Sequence, residues 1–449
     1  MKRYDIAFIS EHASPLAAPG SIDAGGQNVY VRELAIELSK QGFNIDIFTR
    51  KDSPHLPDIV EWLPYVRIIH VDAGPAQYIA KEQLMPYMDE FSTYMARFIR
   101  RYNLHYRLVH ANFFMSGMVA LKLKESLDIP FVITFHALGI VRAIHQREAD
   151  KFPKERILLE KRIVNNADKI IAECPQDASD LVNLYMAQPE KMEVIPCGFN
   201  PREFQPVNKQ EARKQVGIGP DEKIILSIGR IVPRKGVDNI IRSLRFLKKQ
   251  FANIRLLVVG GDAYPDYGPS ADEIKRLKNI SREYKVQDKV TFTGPKMPLE
   301  LKYYYSAADV FISTPWYEPF GITPLESMAC GTPVVGSNVG GIKYTVKDGE
   351  TGFLVPPKKP LQLARRVTAL LTDPELLSIM QHACIKRVNS YFTWRRVASE
   401  MKLAYFDTMV MEPLFMPARK LVRLTEPVFI KHLVALKDKE GKNQIYRNN

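Results

Sequence analysis

Short apolar runs alternate with amphipathic stretches along most of the chain. Ile6–Ser10, Asn44–Thr49, Val66–Val71, Leu108–His110, Phe131–Phe135, Lys169–Ala172 and Met192–Ile195 are compact apolar segments, which predicts buried strands. Between the first two, Val31, Leu34, Ala35 and Leu38 recur at helical spacing, and Gly42 closes the predicted helix from Val29 to Gln41. Pro196-Cys197-Gly198-Phe199-Asn200-Pro201 then interrupts the pattern, and a polar segment to Pro220 follows with one short predicted helix, Gln210–Val216. The alternation restarts beyond it. Strands are predicted at Lys223–Ile228, Ile254–Val259, Lys289–Phe292, Val310–Ser313, Val334–Gly336 and Gly352–Val355. Helices are predicted at Gly236–Phe251, Ala271–Tyr284, Leu299–Ala307, Lys359–Thr372, Glu375–Val388 and Trp394–Met411. Strand–helix alternation of this kind predicts two α/β halves, each a doubly wound parallel sheet.

Composition changes that picture little. The chain has 449 residues, more than one core usually supports, and is 46% hydrophobic and 25% charged. No run of about 18 apolar residues predicts a membrane-spanning helix. Met1-Lys2-Arg3-Tyr4-Asp5 leads directly into a strand and has no signal-peptide core, and Cys174, Cys197, Cys330 and Cys384 lack metal-type spacing. A reducing, cytoplasmic setting is the expectation. The net charge of +13 admits anionic partners. The basic residues are dispersed without a nucleic-acid motif, so no nucleic-acid partner is expected. The exception is 413–449, where eight Lys and Arg stand against three acids among Leu421, Leu424, Val428 and Leu433. That tail reads as a packed extension or as a peripheral contact with the inner face of a membrane.

Candidate chemistry sits where predicted strands end. Glu318-Pro319-Phe320-Gly321-Ile322 follows the strand at Val310, and Glu326 lies in the first turn of a helix predicted from Leu325 to Cys330. Carboxylates accept from hydroxyls, and helix amino termini attract phosphate, so a ligand carrying both groups suits this stretch. Asp23-Ala24-Gly25-Gly26-Gln27-Asn28 opens a helix and permits close backbone approach to a phosphate. Gly229-Arg230 and Lys235-Gly236 place two cations five positions apart between a strand and a helix, a suitable pair for a diphosphate. His136 stands at the end of the Phe131–Phe135 strand.

In this order and spacing, together with Cys330-Gly331-Thr332-Pro333-Val334-Val335, these motifs resemble the retaining glycosyltransferases of family 4, over residues from about 5 to 410. Asp23 to Val31 further resembles the branch of sucrose-phosphate synthases and inositol-phosphate N-acetylglucosaminyltransferases. The resemblance implies a GT-B fold of two facing Rossmann-like domains, 1–198 on the acceptor side and 199–394 binding a nucleotide sugar. It implies a crossover helix at 395–412 that returns to the first domain, followed by the extension 413–449. It implies transfer of a hexosyl group from a nucleotide-diphosphate sugar such as UDP-glucose to a small, phosphorylated acceptor, with no metal or other cofactor. Arg230, Lys235, Glu318 and His136 take catalytic roles by the same resemblance, and Gly25, Gly26, Gly229, Phe320, Gly321, Ile322 and Glu326 bind the donor. Asn28, Lys81 and Arg156 match acceptor-binding positions. Phe113 and Ala137 depart from the Tyr and Thr of the inositol-phosphate enzymes. The alternatives are a membrane-surface transferase building lipid-linked or extracellular glycan, and a catalytically idle nucleotide-sugar-binding protein.

Overall fold

The computed structural model describes residues 3–17, 25–262 and 270–409. The basic tail 413–449, the end of the predicted crossover helix, and Asp23 and Ala24 lie outside the described residues.

Among the described residues the strands form two sheets, of eight and six strands. The first contains β1 (Tyr4–Ile9), β2 (Phe43–Arg50), β3 (Ile59–Leu63), β4 (Val66–Val71), β5 (Leu108–Asn112), β6 (Phe131–Thr134), β7 (Lys169–Ala172) and β8 (Met192–Val194), ordered β3-β4-β2-β1-β5-β6-β7-β8. Only β3 runs antiparallel, against β4. The second contains β9 (Lys223–Ile228), β10 (Ile254–Val259), β11 (Val290–Gly294), β12 (Val310–Ser313), β13 (Val334–Ser337) and β14 (Gly352–Val355), all parallel and ordered β11-β10-β9-β12-β13-β14. Helices cover both faces of a parallel sheet, so its strands read as continuous apolar runs rather than alternating ones. Ile6, Ala7, Phe8 and Ile9 accordingly have no exposed surface. Chain order reverses between β1 and β5 and between β9 and β12, and each reversal opens a crevice at the strand carboxyl ends.

Several local features differ from expectation, among them the helix expected over Gly236–Phe251, which spans Val237–Leu247. Strand β3 was not predicted, because an edge strand with half-exposed residues carries no sustained apolar signal. The helix carrying Glu326 spans Ile322–Ala329, so it starts three residues before the expected Leu325 and puts Glu326 in its second turn. Gly321 caps it at φ 90°, and Pro324 is accommodated in the first turn, where no intrahelical N–H is needed.

The core explains how the halves are joined. One apolar cluster runs from Phe8, Tyr30 and Leu34 through Cys197, Phe199 and Phe204 to Tyr305, Phe320 and Met328, and includes Trp394, Met401 and Tyr405. The chain crosses between the halves twice, side by side. Phe199 N donates to Phe392 O at 2.8 Å, and Trp394 N donates to Phe199 O at 3.2 Å. Gly198 permits this approach, since a Cβ there would lie 2.8 Å from Trp394 N. The helix Trp394–Thr408 then returns to the first half and packs on the helix Gly26–Lys40. Tyr405 Oη lies 2.6 Å from His110 Nδ1, and the Tyr4 and Phe406 rings meet edge-on at 5.1 Å. No helix among the described residues is long and apolar enough to cross a membrane.

Candidate functional site

The loops at the carboxyl ends of the two sheets face one another. Gly25 caps the helix Gly26–Lys40, and a Cβ on it would stand 3.9 Å from Arg230 Nε of the other half. A Cβ on Gly26 would stand 3.7 Å from Ile322 Cδ1. The sequence therefore brings Gly25, Gly26, Arg230 and Ile322 together from positions about 200 to 300 residues apart. Asn28 has both amide groups engaged within this loop: Gly25 N donates to its Oδ1 at 2.9 Å, and its Nδ2 donates to Ser14 O at 2.9 Å. The structure gives Asn28 the part of shaping the loop.

Behind that contact lies a compact charge cluster. Lys235 Nζ is 2.5 Å from Glu318 Oε2, and Arg234 Nη1 is 3.7 Å from the same oxygen. Burial is the largest influence on Glu318 and pushes its pKa up. Lys235, Arg234 and Arg230 together outweigh it and hold the carboxyl below its ordinary range. Burial pulls the Lys235 pKa down, and Glu318 opposes that shift. Gly229 (φ 145°) follows β9 and lets the backbone turn toward Arg230.

Glu326 is the second carboxylate, 8% exposed, and accepts from Tyr305 Oη at 2.8 Å. Burial pushes its pKa up to about 7, against the lowering effect of the Tyr305 bond. Phe320 is buried beneath the loop, and the N–H groups of Gly321 and Ile322 begin the helix. Gly340 and Gly341 press on this loop from β13. A Cβ on Gly340 would lie 1.8 Å from Glu318 O, and one on Gly341 would lie 2.3 Å from Phe320 Cα. Gly341→Ala is therefore expected to shift Glu318 and lower kcat by one to two orders of magnitude, roughly the effect of a 1 Å misplacement. Rate and melting midpoint should be measured together; an unchanged rate would mean the loop absorbs the methyl group.

His136 stands beyond β6 with φ 56°, and Phe113 beyond β5 has φ 87° and ψ 161°. Such backbone is rare for residues other than glycine and collects at functional sites. His136 Nδ1 is 3.0 Å from Glu173 Oε1 and Nε2 is 3.1 Å from Asn112 Oδ1. Asn112 turns its Nδ2 to the carbonyls of Ile9 and His110, so its Oδ1 accepts from His136 Nε2. Cys197 Sγ donates to Glu173 at 3.1 Å, and Tyr30 packs edge-on against the His136 ring at 4.8 Å. Sequence reasoning found His136 but missed Glu173 and Asn112. The same signal could have found both, since each sits at or just beyond the carboxyl end of a buried strand.

Arg156 is not a surface cation. It is 1% exposed, pairs with Glu160 at 2.7 Å, and lies over the rings of Phe113, Phe114 and Phe152 at 4.5 to 4.8 Å. Its Nη1 is buried without a hydrogen-bond partner. Lys81 lies in the single turn Lys81–Gln83, its Nζ 3.6 Å from the Glu82 carboxylate. A cleft of about 280 Å³ runs between the halves, lined in part by His145, Asp177, Tyr317, Glu318 and Lys343.

Two family descriptions match the chain, Glycosyltransferase Family 4 over residues 24–203 and Glycosyl transferases group 1 over residues 208–388. A D-inositol 3-phosphate glycosyltransferase from Corynebacterium diphtheriae is 33% identical over 91% of this chain and 95% of its own length. The chain belongs to glycosyltransferase family 4. The structure of a sucrose-phosphate synthase from Thermosynechococcus elongatus resembles it with a TM-score of 0.83 and 36% identity, over 90% of this chain and 99% of that one. HepE from Anabaena, solved with UDP-glucose, shares the fold with a TM-score of 0.70 at 18% identity, over 90% and 99% of the two chains. This family 4 enzyme thus has the two-domain GT-B architecture, with its returning helix, and is a hexosyl-transferring glycosyltransferase. Retention without a metal fits that fold.

Proposed function

We propose that the protein is a cytoplasmic enzyme moving a hexosyl group, with retention, from a UDP-hexose such as UDP-glucose to a hydroxyl of a small phosphorylated acceptor. The observation that carries this reading is the approach of Arg230 to the Gly25-Gly26 helix end of the other half, with Arg230 itself acting on the Lys235–Glu318 pair. Arg230 and Lys235 neutralise the diphosphate and the charge that grows on it as the sugar leaves. The Gly26 backbone approaches the diphosphate, with Gly229 leaving space beside it. Glu326 accepts from the ribose hydroxyls. Glu318 and the N–H groups of Phe320, Gly321 and Ile322 hold the hydroxyls of the transferred sugar. His136, fixed by Glu173 and Asn112, contacts that sugar. The bond from the anomeric carbon to the diphosphate oxygen breaks, and the acceptor hydroxyl bonds to the same face. Its proton passes to the departing diphosphate oxygen.

A phosphorylated acceptor is supported by the names of the relatives, which specify inositol 3-phosphate and sucrose phosphate. Arg156 supports it too, because a buried guanidinium nitrogen without a partner is costly unless a ligand completes it. Lys81 adds a second cation for the phosphate.

The test is a screen of nucleotide sugars against acceptors, including fructose 6-phosphate and inositol phosphate, read by mass spectrometry. A hexose added to a phosphorylated acceptor, with UDP released and the donor's anomeric configuration kept by NMR, is the expected result. An inverted product would overturn the mechanism, and neither transfer nor UDP release from any pair would overturn the function.

A further inference from the structure

Tyr317 directly precedes Glu318 and is 6% exposed, yet its ring is held from both halves. From the first half, His145 stacks on it with centroids 5.1 Å apart and planes 19° from parallel. Gln146 Nε2 donates to its hydroxyl. From the second half, Arg234 Cζ lies 5.2 Å from the same ring centroid. Arg234 is also the guanidinium 3.7 Å from Glu318, and its backbone oxygen accepts from Trp316 N at 2.9 Å. His145 and Gln146 end the helix Gly139–Gln146, which starts three residues after His136.

We propose that Tyr317 is a positioning residue: the end of the Gly139–Gln146 helix grips it, and that grip sets Arg234 and Glu318 in the arrangement needed for transfer. Docking of the first half thereby assembles the acid–cation cluster of the second. The proposal rests on the reading of Glu318 as a group facing the transferred sugar.

The physical case lies in what fixes Arg234. Its Nη1 is buried without a hydrogen-bond partner, so the ring beneath it and the charge of Glu318 determine where the fork sits. A buried Tyr hydroxyl needs a partner, and here that partner comes from the opposite half. Cys174 Sγ also reaches Pro319 O, at 3.3 Å, and Lys343 reaches Gln176, at 2.7 Å. Those links hold the backbone nearby and leave the Tyr317 ring to His145, Gln146 and Arg234. Without the grip the ring can turn, and the guanidinium stacked on it leaves Glu318 to Lys235 and Arg230.

His145→Ala and Gln146→Ala test this at an exposed and a half-buried position, outside the apolar core. The readouts are UDP release from UDP-glucose, UDP binding by calorimetry, and the melting midpoint. UDP release should fall about fivefold to tenfold in each variant, the effect of losing one such contact, while UDP affinity and melting stay at wild-type values. Tyr317→Phe should match Gln146→Ala, and the double variant should be no worse than either, since both remove one bond. Wild-type rates in the His145 and Gln146 variants would overturn the proposal. So would additive losses, or losses that track the melting midpoint. Glu318→Gln is run alongside. If it keeps the wild-type rate, the reading of Glu318 fails; if it is impaired while the helix-end variants are not, only the grip fails.

Discussion

Lys235→Ala is expected to lower kcat/KM for the nucleotide sugar by about two to three orders of magnitude, the usual effect of removing one preorganised group from a developing anion. The side chain is 24% exposed and held by Glu318 at 2.5 Å, so it is fixed before the donor arrives and does not pay for ordering at the moment of reaction. Removing it does two kinds of harm. The departing diphosphate loses a cation, and the buried Glu318 loses its nearest counter-charge, leaving Arg234 at 3.7 Å. Lys235→Arg separates the two. It restores a charge to both partners, but its planar fork does not reproduce a point charge at Nζ, so partial recovery is expected. The measurement is initial-rate kinetics of UDP release on the three proteins. A loss smaller than about tenfold in Lys235→Ala would mean that Arg230 carries the departing charge without it.

Glu318→Gln should cut kcat about a hundredfold or more, whereas Glu326→Gln should act mainly on donor KM, by about tenfold. The two environments differ in kind. Glu318 is held below the ordinary range by three cations and stays ionised through neutral pH. Glu326 has no such cluster; burial lifts it to about 7. A carboxyl with a raised pKa is protonated as pH falls through that value. On the proposed reading, protonation gives it a hydrogen where the ribose hydroxyls need an acceptor. Donor KM should therefore rise as pH drops below about 7. Glu326→Gln should flatten that limb, and Tyr305→Phe, which removes a bond that lowers the pKa, should move it upward. Equal losses of kcat in the two Gln variants would mean that their work is divided differently.

Much of this arrangement is legible in the sequence because it is local. The runs at Val66, Lys169, Lys223, Ile254, Val310 and Gly352 begin where the strands begin, since strands buried on both faces are apolar throughout. The cations, the Gly-Gly pair, His136 and both glutamates also announce themselves, because parallel topology delivers every strand's carboxyl end to one edge. What stays hidden depends on distant partners. Arg156 four residues before Glu160 looks like a surface helix pair; only Phe113, Phe114 and Phe152, brought in by folding, bury it. Tyr317 looks like loop filler until His145 and Gln146 arrive from the other half. The helix expected from Leu325 begins at Ile322, with Pro324 accommodated in its first turn.

The return of the Trp394–Thr408 helix to the first half has a consequence for how the molecule is made. Tyr405 meets His110 across 295 residues of chain. At about 5–20 residues per second, a ribosome needs roughly fifteen seconds to a minute to deliver one after the other. During that interval the nascent first half has its strands but not the helix that covers Tyr4, Phe43 and His110. Its folding cannot finish in the order of its synthesis. Tyr4, Phe43 and His110 gain their cover only when that helix emerges, and a chain ending before Trp394 would leave them without it.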